Sequence, residues 1–434
     1  MNPQELYQKK QMTADQLAAC IPDNSAIRTD LFLAQPKTIF EALNRRCQAN
    51  NIHGCSITTG LELYPLLCYQ DPKYAENLRP ICQFCSGLSR KAVNGGLADF
   101  LPFTYWDQPA LVRNYLDTDV FMVSVSPMDA HGYFSMGVTG SACGAYIETA
   151  RMILVEVNQK MPYCAAAPKV HISQVAGVCE ADYPLSALPT AELDEASLTI
   201  GGLIAEEIPD GACLQLGIGA IPDAVGMALK DKHHLGIHTE MLTDSMIELL
   251  ECGAADNSQK ETYRGQTVAT FAFGSQRIYD YVNHNPSLMI LPVDVVNNPY
   301  NIAKNSNFVS VNAALEVDFL GQVCAETMGI KIYSGSGGQL DFVRGATMSR
   351  GGQSFIAFSS TAKGGTLSKI KPILTPGSAV TTGKNEVDMI VTEYGIARLR
   401  GRSMSQRVKA LISIAHPKFR DELTFEAKQR SMII

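Results

Sequence analysis

The stretch Cys213-Leu-Gln-Leu-Gly-Ile-Gly-Ala-Ile-Pro222 is the part of the sequence that decides the predicted fold. A short, largely apolar run comes first, two glycines follow, and a helical pattern runs from Pro222 to Lys230. Proline is favourable in a first helical turn because its missing N–H is not needed there. A strand, a glycine loop and a helix in succession are typical of a mostly parallel sheet with helices on both faces.

The same alternation of strands and helices continues on both sides of this stretch. Residues 119–126 and 152–157 are apolar runs of strand length. The segment 184–193 holds two prolines and little apolar periodicity, which is typical of a linker. We therefore predict an α/β protein with two open, mostly parallel α/β domains, residues 1–188 and residues 189–434, and an active-site cleft between them.

The composition limits the classes of partner. The 434 residues are 46% hydrophobic, so a large core is available, and 36 Lys+Arg against 43 Asp+Glu give a net charge of −7. Nucleic acid and anionic membranes reward clustered basic residues, so the sequence predicts neither as a partner. No apolar run is long enough for an ordinary membrane-spanning helix. The first ten residues are polar, without the apolar core of a signal peptide, and we predict a cytoplasmic protein.

The twelve cysteines indicate the same compartment. Most lie in apolar surroundings, which is typical of reduced thiols in a protein core. One Cys82-x-x-Cys85 pair occurs, but no second such pair and no histidine pair accompanies it. Because a structural zinc site needs four ligands, the sequence predicts no metal site here.

Two segments of the second half are candidates for ligand chemistry. The loop from Gly217 to Pro222 allows close backbone approach, and free N–H groups at a helix start bind anions, with a purely structural turn as the alternative. Glu240 ends a short apolar stretch, where a strand would direct it into a ligand crevice. It could instead be a carboxylate at a helix N-terminus. Glu240 also follows Gly219 by 21 residues, about the separation of the ribose-binding acid in a dinucleotide-binding fold. However, Pro222 replaces the third glycine of the dinucleotide-binding motif.

Further segments are rich in glycine or repeat part of the Glu240 segment. The run from Tyr333 to Phe342 predicts an N–H-rich loop able to stabilise an oxyanion, with a plain surface loop as the alternative. Lys363 precedes two glycines and could meet a phosphate or simply be solvated. The segment Ile390-Val-Thr-Glu393 resembles Ile237-His-Thr-Glu240, but four residues are too few to indicate a duplication. No GxSxG or HExxH motif supports a serine hydrolase or a zinc protease.

Together, several segments resemble the acetyl-CoA hydrolase/transferase family. The segments that carry the resemblance are 119–126, 156–158, Leu214–Val225, His234–Met241, 258–260, 317–319, Gly337–Ala346, Val391–Ala397 and Ala410–Pro417. The likeness spans nearly the whole chain and is strongest from about residue 205 onward. Within the family, these segments are most similar to those of the CoA-transferases that act on 4-hydroxybutyrate.

The resemblance implies roles for individual residues. Glu240 corresponds to the family's covalent nucleophile, and Asn312 and Gly338 correspond to groups near the thioester oxygen. The positions implied to contact CoA are Gly217, Ile218, Gly219, Ala220, Ile221, Leu315, Gly338 and Lys363.

The implied function is transfer of CoA between an acyl-CoA, such as acetyl-CoA or butyryl-CoA, and a short-chain carboxylic acid such as 4-hydroxybutyrate. The reaction would be ping-pong through a glutamyl-CoA thioester. CoA and acyl-CoA would be substrates, and no metal or permanently bound cofactor is expected. Relatives suggest a homodimer or a larger homo-oligomer. An acyl-CoA hydrolase using the same glutamate is the main alternative, followed by an NAD-dependent oxidoreductase and a non-catalytic CoA sensor.

Overall fold

The computed structural model describes residues 2–188 and 192–433. The helices are α1 (Pro3–Lys10), α2 (Ala14–Ala19), α3 (Lys37–Gln48), α4 (Arg90–Asn94), α5 (Gln108–Asn114), α6 (Cys143–Thr149), α7 (Glu195–Glu207), α8 (Ala220–Ala228), α9 (Asp244–Glu251), α10 (Gln276–Val282), α11 (Val293–Val296), α12 (Pro299–Ile302), α13 (Gln339–Met348), α14 (Met404–Ser413) and α15 (Pro417–Gln429). The strands of the first half are β1 (Ala26–Arg28), β2 (Cys55–Thr59), β3 (Leu78–Cys82), β4 (Asp99–Phe100), β5 (Val120–Val125), β6 (Tyr133–Ser135), β7 (Met152–Asn158), β8 (Lys169–His171) and β9 (Gly177–Ala181).

The strands of the second half are β10 (Cys213–Leu216), β11 (Gly236–Leu242), β12 (Thr267–Ala272), β13 (Leu288–Ile290), β14 (Phe308–Ala313), β15 (Glu316–Asp318), β16 (Val323–Cys324), β17 (Thr327–Met328), β18 (Lys331–Ile332), β19 (Gln353–Ala357), β20 (Thr361–Ala362), β21 (Leu367–Ser368), β22 (Ile370–Lys371), β23 (Met389–Thr392) and β24 (Gly395–Arg398). The sequence predicted β10 with these bounds. The helix predicted from Pro222 begins two residues earlier, at Ala220, so that Pro222 lies in its first turn.

The chain divides into two compact units. One comprises Met1–Pro189 with Val268–Val296, and the other comprises Thr190–Thr267 with Asn297–Ile434. Each is built around a mostly parallel sheet with helices, so the predicted α/β fold class is confirmed. The predicted domain boundary falls at residues 188–189, and residues 189–191 lie outside the described residues, so that boundary stays a prediction.

The sheet of the first unit has seven strands in the order β4-β3-β2-β1-β5-β7-β9. Every neighbouring pair in it is parallel. The strand β5 lies inside the sheet, and all six of its residues are buried. This explains its continuous apolar run, because a strand covered on both faces has no solvent side that needs polar residues.

Six strands of the second unit lie in the order β11-β10-β14-β19-β23-β24. They pair in parallel, except that β24 is antiparallel to β23. The chain runs from β10 to β11 on one side, while β14 lies on the other side of β10. The strand order therefore reverses between β10 and β14, and the crevice outside the carboxyl ends of such strands is where open α/β sheets bind ligands.

Close packing of α7 against α8 fixes the helix that follows the glycine loop. Gly201 lies in α7, and a Cβ added there would come within 2.7 Å of the carbonyl carbon of Ala224 in α8. The neighbouring Gly202 has no heavy atom within 4 Å of such a Cβ. The missing side chain of Gly201 thus allows the two helices to approach closely, whereas Gly202 has no comparable packing role.

These two adjacent glycines give a matched prediction for stability. Gly202→Ala is expected to raise the free energy of unfolding by about 0.5–1 kcal/mol, because alanine loses less backbone entropy in a helix than glycine does. Gly201→Ala is expected to lower it by about 1–3 kcal/mol through overpacking against Ala224. Urea denaturation of the two variants measures both effects, and shifts of the same sign would contradict this account of the α7–α8 contact.

None of the helices formed by the described residues combines the length and apolarity that a membrane crossing requires.

Candidate active site

The glycine loop leaves the sheet of the second unit at the point where the strand order reverses. Gly219 has φ 112° and ψ −177°, a conformation that side-chain-bearing residues rarely adopt, and it caps the N-terminus of α8. The tip residue Ile218 exposes 49% of its surface. The loop therefore presents an apolar side chain next to the amide groups of a helix start, a combination suited to a ligand with both an apolar arm and an anionic group.

Glu240 lies in the strand β11, next to β10. The strand continues to Leu242, so Glu240 is two residues from its carboxyl end rather than at the end, as the sequence suggested. This placement excludes the alternative of a carboxylate at a helix N-terminus. Glu240 is half-buried, and the other six residues of the strand are buried.

Two donors hold the Glu240 carboxylate. The side chain of Asn297 donates from Nδ2 to Oε2 at 2.7 Å. The backbone N–H of Gly338 donates to the same carboxyl group. Burial raises the pKa of Glu240 to about 7, although both hydrogen bonds oppose that increase by stabilising the charged form. Near neutral pH the group is therefore present in comparable amounts as acid and as carboxylate.

Gly338 is glycine for reasons of space. It precedes α13, and its φ of −96° is open to any residue. A Cβ at this position would nevertheless lie 1.9 Å from Oε2 of Glu240 and 2.2 Å from Nδ2 of Asn297. Its backbone N–H thus reaches the carboxylate only because no side chain intervenes. The N-terminus of α13 also favours negative charge at this point.

Asn297 is the site residue that the sequence analysis missed. It is fully buried just before α12, and its Nδ2 also lies 3.4 Å from Oδ2 of Asp341. It is 57 residues from Glu240 in the chain and belongs to no glycine-rich or strand-end pattern. The run Asn297-Asn298-Pro299 predicts only a helix start, so no local signal identifies it.

Asn312, the asparagine selected from the resemblance, has different partners. It lies near the carboxyl end of β14, and its side-chain amide exchanges hydrogen bonds of 3.2 and 3.3 Å with the amide of Gln215 in β10. Its Cα is 3.8 Å from the place that a Cβ on Gly217 would occupy. The asparagine side chain that reaches Glu240 is therefore Asn297, whereas Asn312 joins the two strands beneath the glycine loop.

The remaining predicted CoA contacts, Leu315 and Lys363, lie in the same unit. Leu315 is half-buried just after β14, and its N–H donates to the carbonyl of Cys324 at 2.9 Å. Lys363 is exposed in the turn between β20 and β21, with φ 50°. Gly338 is thus the predicted residue that contacts Glu240 directly, and the glycine loop and Leu315 follow the two strands at which the order reverses.

Comparison with known proteins assigns the class. The N-terminal domain of the acetyl-CoA hydrolase/transferase family matches residues 1–188, and its C-terminal domain matches residues 274–427. The chain therefore belongs to the acetyl-CoA hydrolase/transferase family.

Individual relatives narrow the class to one reaction type. The chain is 44% identical to the succinyl-CoA:cyclohexane-1-carboxylate CoA transferase of Geobacter metallireducens, over 98% of this chain and 97% of that protein. It is 41% identical to the 4-hydroxybutyrate coenzyme A transferase of Clostridium kluyveri, over 99% and 100%. The crystal structure of RipA from Yersinia pestis matches with a TM-score of 0.94 and 37% identity, over 100% of both chains. The predicted enzyme class, a CoA-transferase, is confirmed, and an oxidoreductase is not supported.

Proposed function

We propose that Glu240 is the covalent nucleophile of a CoA transfer from an acyl-CoA, such as acetyl-CoA or butyryl-CoA, to a short-chain carboxylic acid such as 4-hydroxybutyrate. The observation that carries the proposal is the Glu240 carboxyl group, whose pKa burial raises to about 7 while Asn297 and Gly338 hold it in place. A group of this kind combines a usable fraction of carboxylate near neutral pH with a fixed orientation.

The exchange proceeds by two attacks on carbonyl carbons. The Glu240 carboxylate attacks the thioester, the C–S bond breaks, and a mixed anhydride and CoA thiolate form. The thiolate then attacks the glutamyl carbonyl and releases the free acid, which leaves a glutamyl-CoA thioester. A second carboxylic acid takes the CoA by the same steps in reverse, so the kinetics are ping-pong.

The raised pKa of Glu240 eases the first step. An ordinary glutamate is less basic than a thiolate by roughly 4 pKa units, which corresponds to about 6 kcal/mol against thiolate expulsion. With the pKa of Glu240 at about 7, the difference falls to roughly 1.5 units, or about 2 kcal/mol. Binding of the distant parts of CoA offsets what remains.

The two donors serve the tetrahedral intermediates as well. When Glu240 becomes an acyl group, its carbonyl oxygen faces Nδ2 of Asn297 and the N–H of Gly338. Attack by the thiolate puts negative charge on that oxygen, and each fixed donor contributes on the order of 10²- to 10³-fold in rate. We therefore assign the role expected for Asn312 to Asn297, and propose that Asn312 supports the glycine loop through Gln215.

The residues proposed to bind CoA lie mainly after β10 and β14, the two strands between which the strand order reverses. We propose that Gly217, Ile218, Gly219, Ala220 and Ile221 contact CoA, with further contacts from Leu315, Gly338 and Lys363. The acyl-CoA and the acid enter as substrates, and the chemistry of a carboxylate nucleophile needs no permanently bound cofactor.

A screen of acceptor acids tests the proposed reaction. Acetyl-CoA is mixed with 4-hydroxybutyrate, butyrate, succinate or cyclohexane-1-carboxylate, and the new CoA esters are identified by mass spectrometry. The expected result is rapid formation of 4-hydroxybutyryl-CoA and butyryl-CoA. Transfer to the two other acids alone would contradict the proposed substrates while leaving the transfer chemistry intact.

Hydrolysis by the same glutamate is not favoured, because relatives at 41% and 44% identity are named CoA transferases. Free thiol released from acetyl-CoA distinguishes the two reactions. A transferase releases little free thiol without an acceptor acid and exchanges CoA rapidly once the acid is added. Thiol release at an equal rate in both conditions would identify a hydrolase.

We further propose that the enzyme acts in the cytoplasm, as a homodimer or a larger homo-oligomer, in short-chain fatty acid metabolism. The free state of all twelve cysteines supports a reducing compartment. The mass of the particle in solution, measured by light scattering, tests the oligomeric state.

The pKa of Glu240 predicts the pH dependence of the reaction. Because the attacking form is the carboxylate, kcat/KM for the acyl-CoA should rise about tenfold per pH unit well below pH 7 and level off above it. Asn297→Ala removes a hydrogen bond that lowers the pKa, so its midpoint should move to higher pH. Asn312→Ala is the matched control, whose midpoint should not move. A wild-type midpoint near 4.5, the ordinary value, would contradict the prediction.

A further inference from the structure

The Cys82-x-x-Cys85 pair, which no second cysteine or histidine pair accompanies, forms a close contact in the first unit. Sγ of Cys82 donates to Sγ of Cys85 at 3.7 Å. Residues 2–188 and 192–433 contain no cluster of three or more His, Cys, Asp or Glu side chains able to hold a metal. We propose that Cys82 and Cys85 are a redox-active dithiol, which hydrogen peroxide or an organic hydroperoxide converts to an intramolecular disulfide.

The two thiols have different surroundings, and these determine which of them ionises. The hydrogen bond from Cys82 lowers the pKa of Cys85 and outweighs burial and the charge of Glu62, which raise it, while Arg90 adds to the lowering. The pKa of Cys82 is raised by its hydrogen bond to Cys85, by burial and by the charge of Glu62, whose Oε1 lies 3.6 Å from its sulfur. Cys85 is therefore the thiol that ionises, and thiolates react with peroxides.

The reaction balances as a two-electron oxidation. The Cys85 thiolate attacks one peroxide oxygen, the O–O bond breaks, and a sulfenic acid and hydroxide form. The Cys82 thiol then attacks the Cys85 sulfur, forms the S–S bond and releases the sulfenic oxygen as water. In total, two thiols and one hydrogen peroxide give one disulfide and two waters.

The backbone can bring the sulfurs together. A disulfide is about 2.05 Å long, so the sulfurs must approach by roughly 1.7 Å. Cys82 is the last residue of β3 and is fixed between β2 and β4. Cys85 lies in the following loop, where Gly87 is exposed and a Cβ added to it would have no heavy atom within 4 Å. The loop is thus the part that moves, and because Cys85 exposes only 2% of its surface, the proposal requires the same movement to admit the oxidant.

The fold can tolerate the change. Glu62 also accepts hydrogen bonds of 2.7 Å from the hydroxyl groups of Thr59, Ser86 and Ser89. Thr59 is the last residue of β2 and lies outside the loop that moves, so the buried carboxylate keeps this donor when the Cys82 thiol is consumed. Oxidation therefore leaves no unpaired buried charge, which is the usual cause of a large loss of stability.

Peptide mass spectrometry tests the proposal on the full chain. Native protein is treated with hydrogen peroxide, denatured, alkylated and digested with trypsin. The peptide Tyr74–Arg90 contains both cysteines and no other, since Arg79 precedes a proline. We expect this peptide to carry no alkyl group and to be two hydrogens lighter than the reduced, unalkylated peptide. After reduction with dithiothreitol and a second alkylation, it should carry two alkyl groups. The exposed Cys252 is the internal control, expected to oxidise at least about tenfold more slowly.

Two variants assign the order of events. Cys82→Ser should accumulate a Cys85 sulfenic acid that dimedone traps, because no resolving thiol is present. Cys85→Ser should leave Cys82 fully alkylatable. Two alkyl groups on the peptide when Cys252 is already oxidised would overturn the proposal, and this wild-type result does not depend on the folding of either variant. The readout is a peptide mass, so the outcome is separate from that of the CoA-transfer assay.

Discussion

Glu240→Ala is expected to lower the rate of CoA exchange by on the order of 10⁴-fold or more, because it removes the proposed covalent nucleophile. Exchange of label between an acyl-CoA and its free acid measures this loss. A second measurement identifies the intermediate. Borohydride added to the wild-type enzyme with acyl-CoA should reduce a thioester at position 240, and the change in peptide mass should be absent from the variant.

The sheet provides a matched control for this variant. Glu393 follows β23, and its carboxylate accepts hydrogen bonds of 2.8 and 2.5 Å from the N–H and the hydroxyl group of Ser360. Glu393→Ala is expected to cost about 1–2 kcal/mol in stability and to keep exchange within a few-fold of wild type. Wild-type exchange by Glu240→Ala, or equal losses in the two variants, would refute the role of Glu240.

The second large effect is expected from Gly338→Ala. The added methyl group would lie 1.9 Å from Oε2 of Glu240, so that the carboxylate, the N–H of residue 338 or Asn297 must shift. Loss of one fixed donor costs on the order of 10²- to 10³-fold in kcat, and displacement of the proposed nucleophile adds to this loss. Steady-state kinetics with the best acid pair measure the total.

Gly383→Ala is the control for Gly338→Ala. Gly383 belongs to the same unit, and a Cβ there would have no heavy atom within 4 Å. This variant should exchange CoA at the wild-type rate. The affinity of Gly338→Ala for CoA, measured by calorimetry, separates a loss of the proposed CoA contact at position 338 from a loss in the chemical step. A fully active Gly338→Ala variant would show that the Glu240 carboxylate is not confined as described.

Local pattern was sufficient to predict the fold class and one end of the candidate site. The run from Cys213 to Pro222 specifies a strand, a glycine loop and a helix within a few residues, and the structure places them in that order. These elements can be predicted from local sequence, because the backbone conformation and the spacing of apolar residues within each depend on neighbouring residues. The predicted end of β11 was less accurate: the sequence suggested that the strand ends at Glu240, but it continues through Met241 and Leu242.

The position of Asn297 could not be predicted from local sequence. Its contact with Glu240 joins residues 57 positions apart, and tertiary packing alone creates it. Asn297 and Asn312 are two of the several asparagines between Glu240 and Gly338, and the sequence does not say which of the two faces the carboxylate. The structure distinguishes them because Asn312 is already paired with Gln215.

The two similar segments ending in Glu240 and Glu393 place their glutamates in different surroundings, which the sequence does not predict. Both glutamates lie near the carboxyl ends of parallel strands in one sheet. Glu240 meets the amide of Asn297 and an N–H at a helix start, whereas Glu393 is bound by Ser360. Sequence places a carboxylate at the right edge of a sheet, and only its neighbours decide whether it is a reagent or a structural ligand.

The absence of a side chain at position 338 has a consequence for reading genomes. A homologous gene that keeps the glutamate of position 240 but encodes alanine or serine at position 338 is expected to specify a chain that exchanges coenzyme A poorly, because the added side chain would displace the carboxylate or Asn297. Among members that keep this glutamate, the residue at position 338 is therefore expected to separate active from poorly active enzymes.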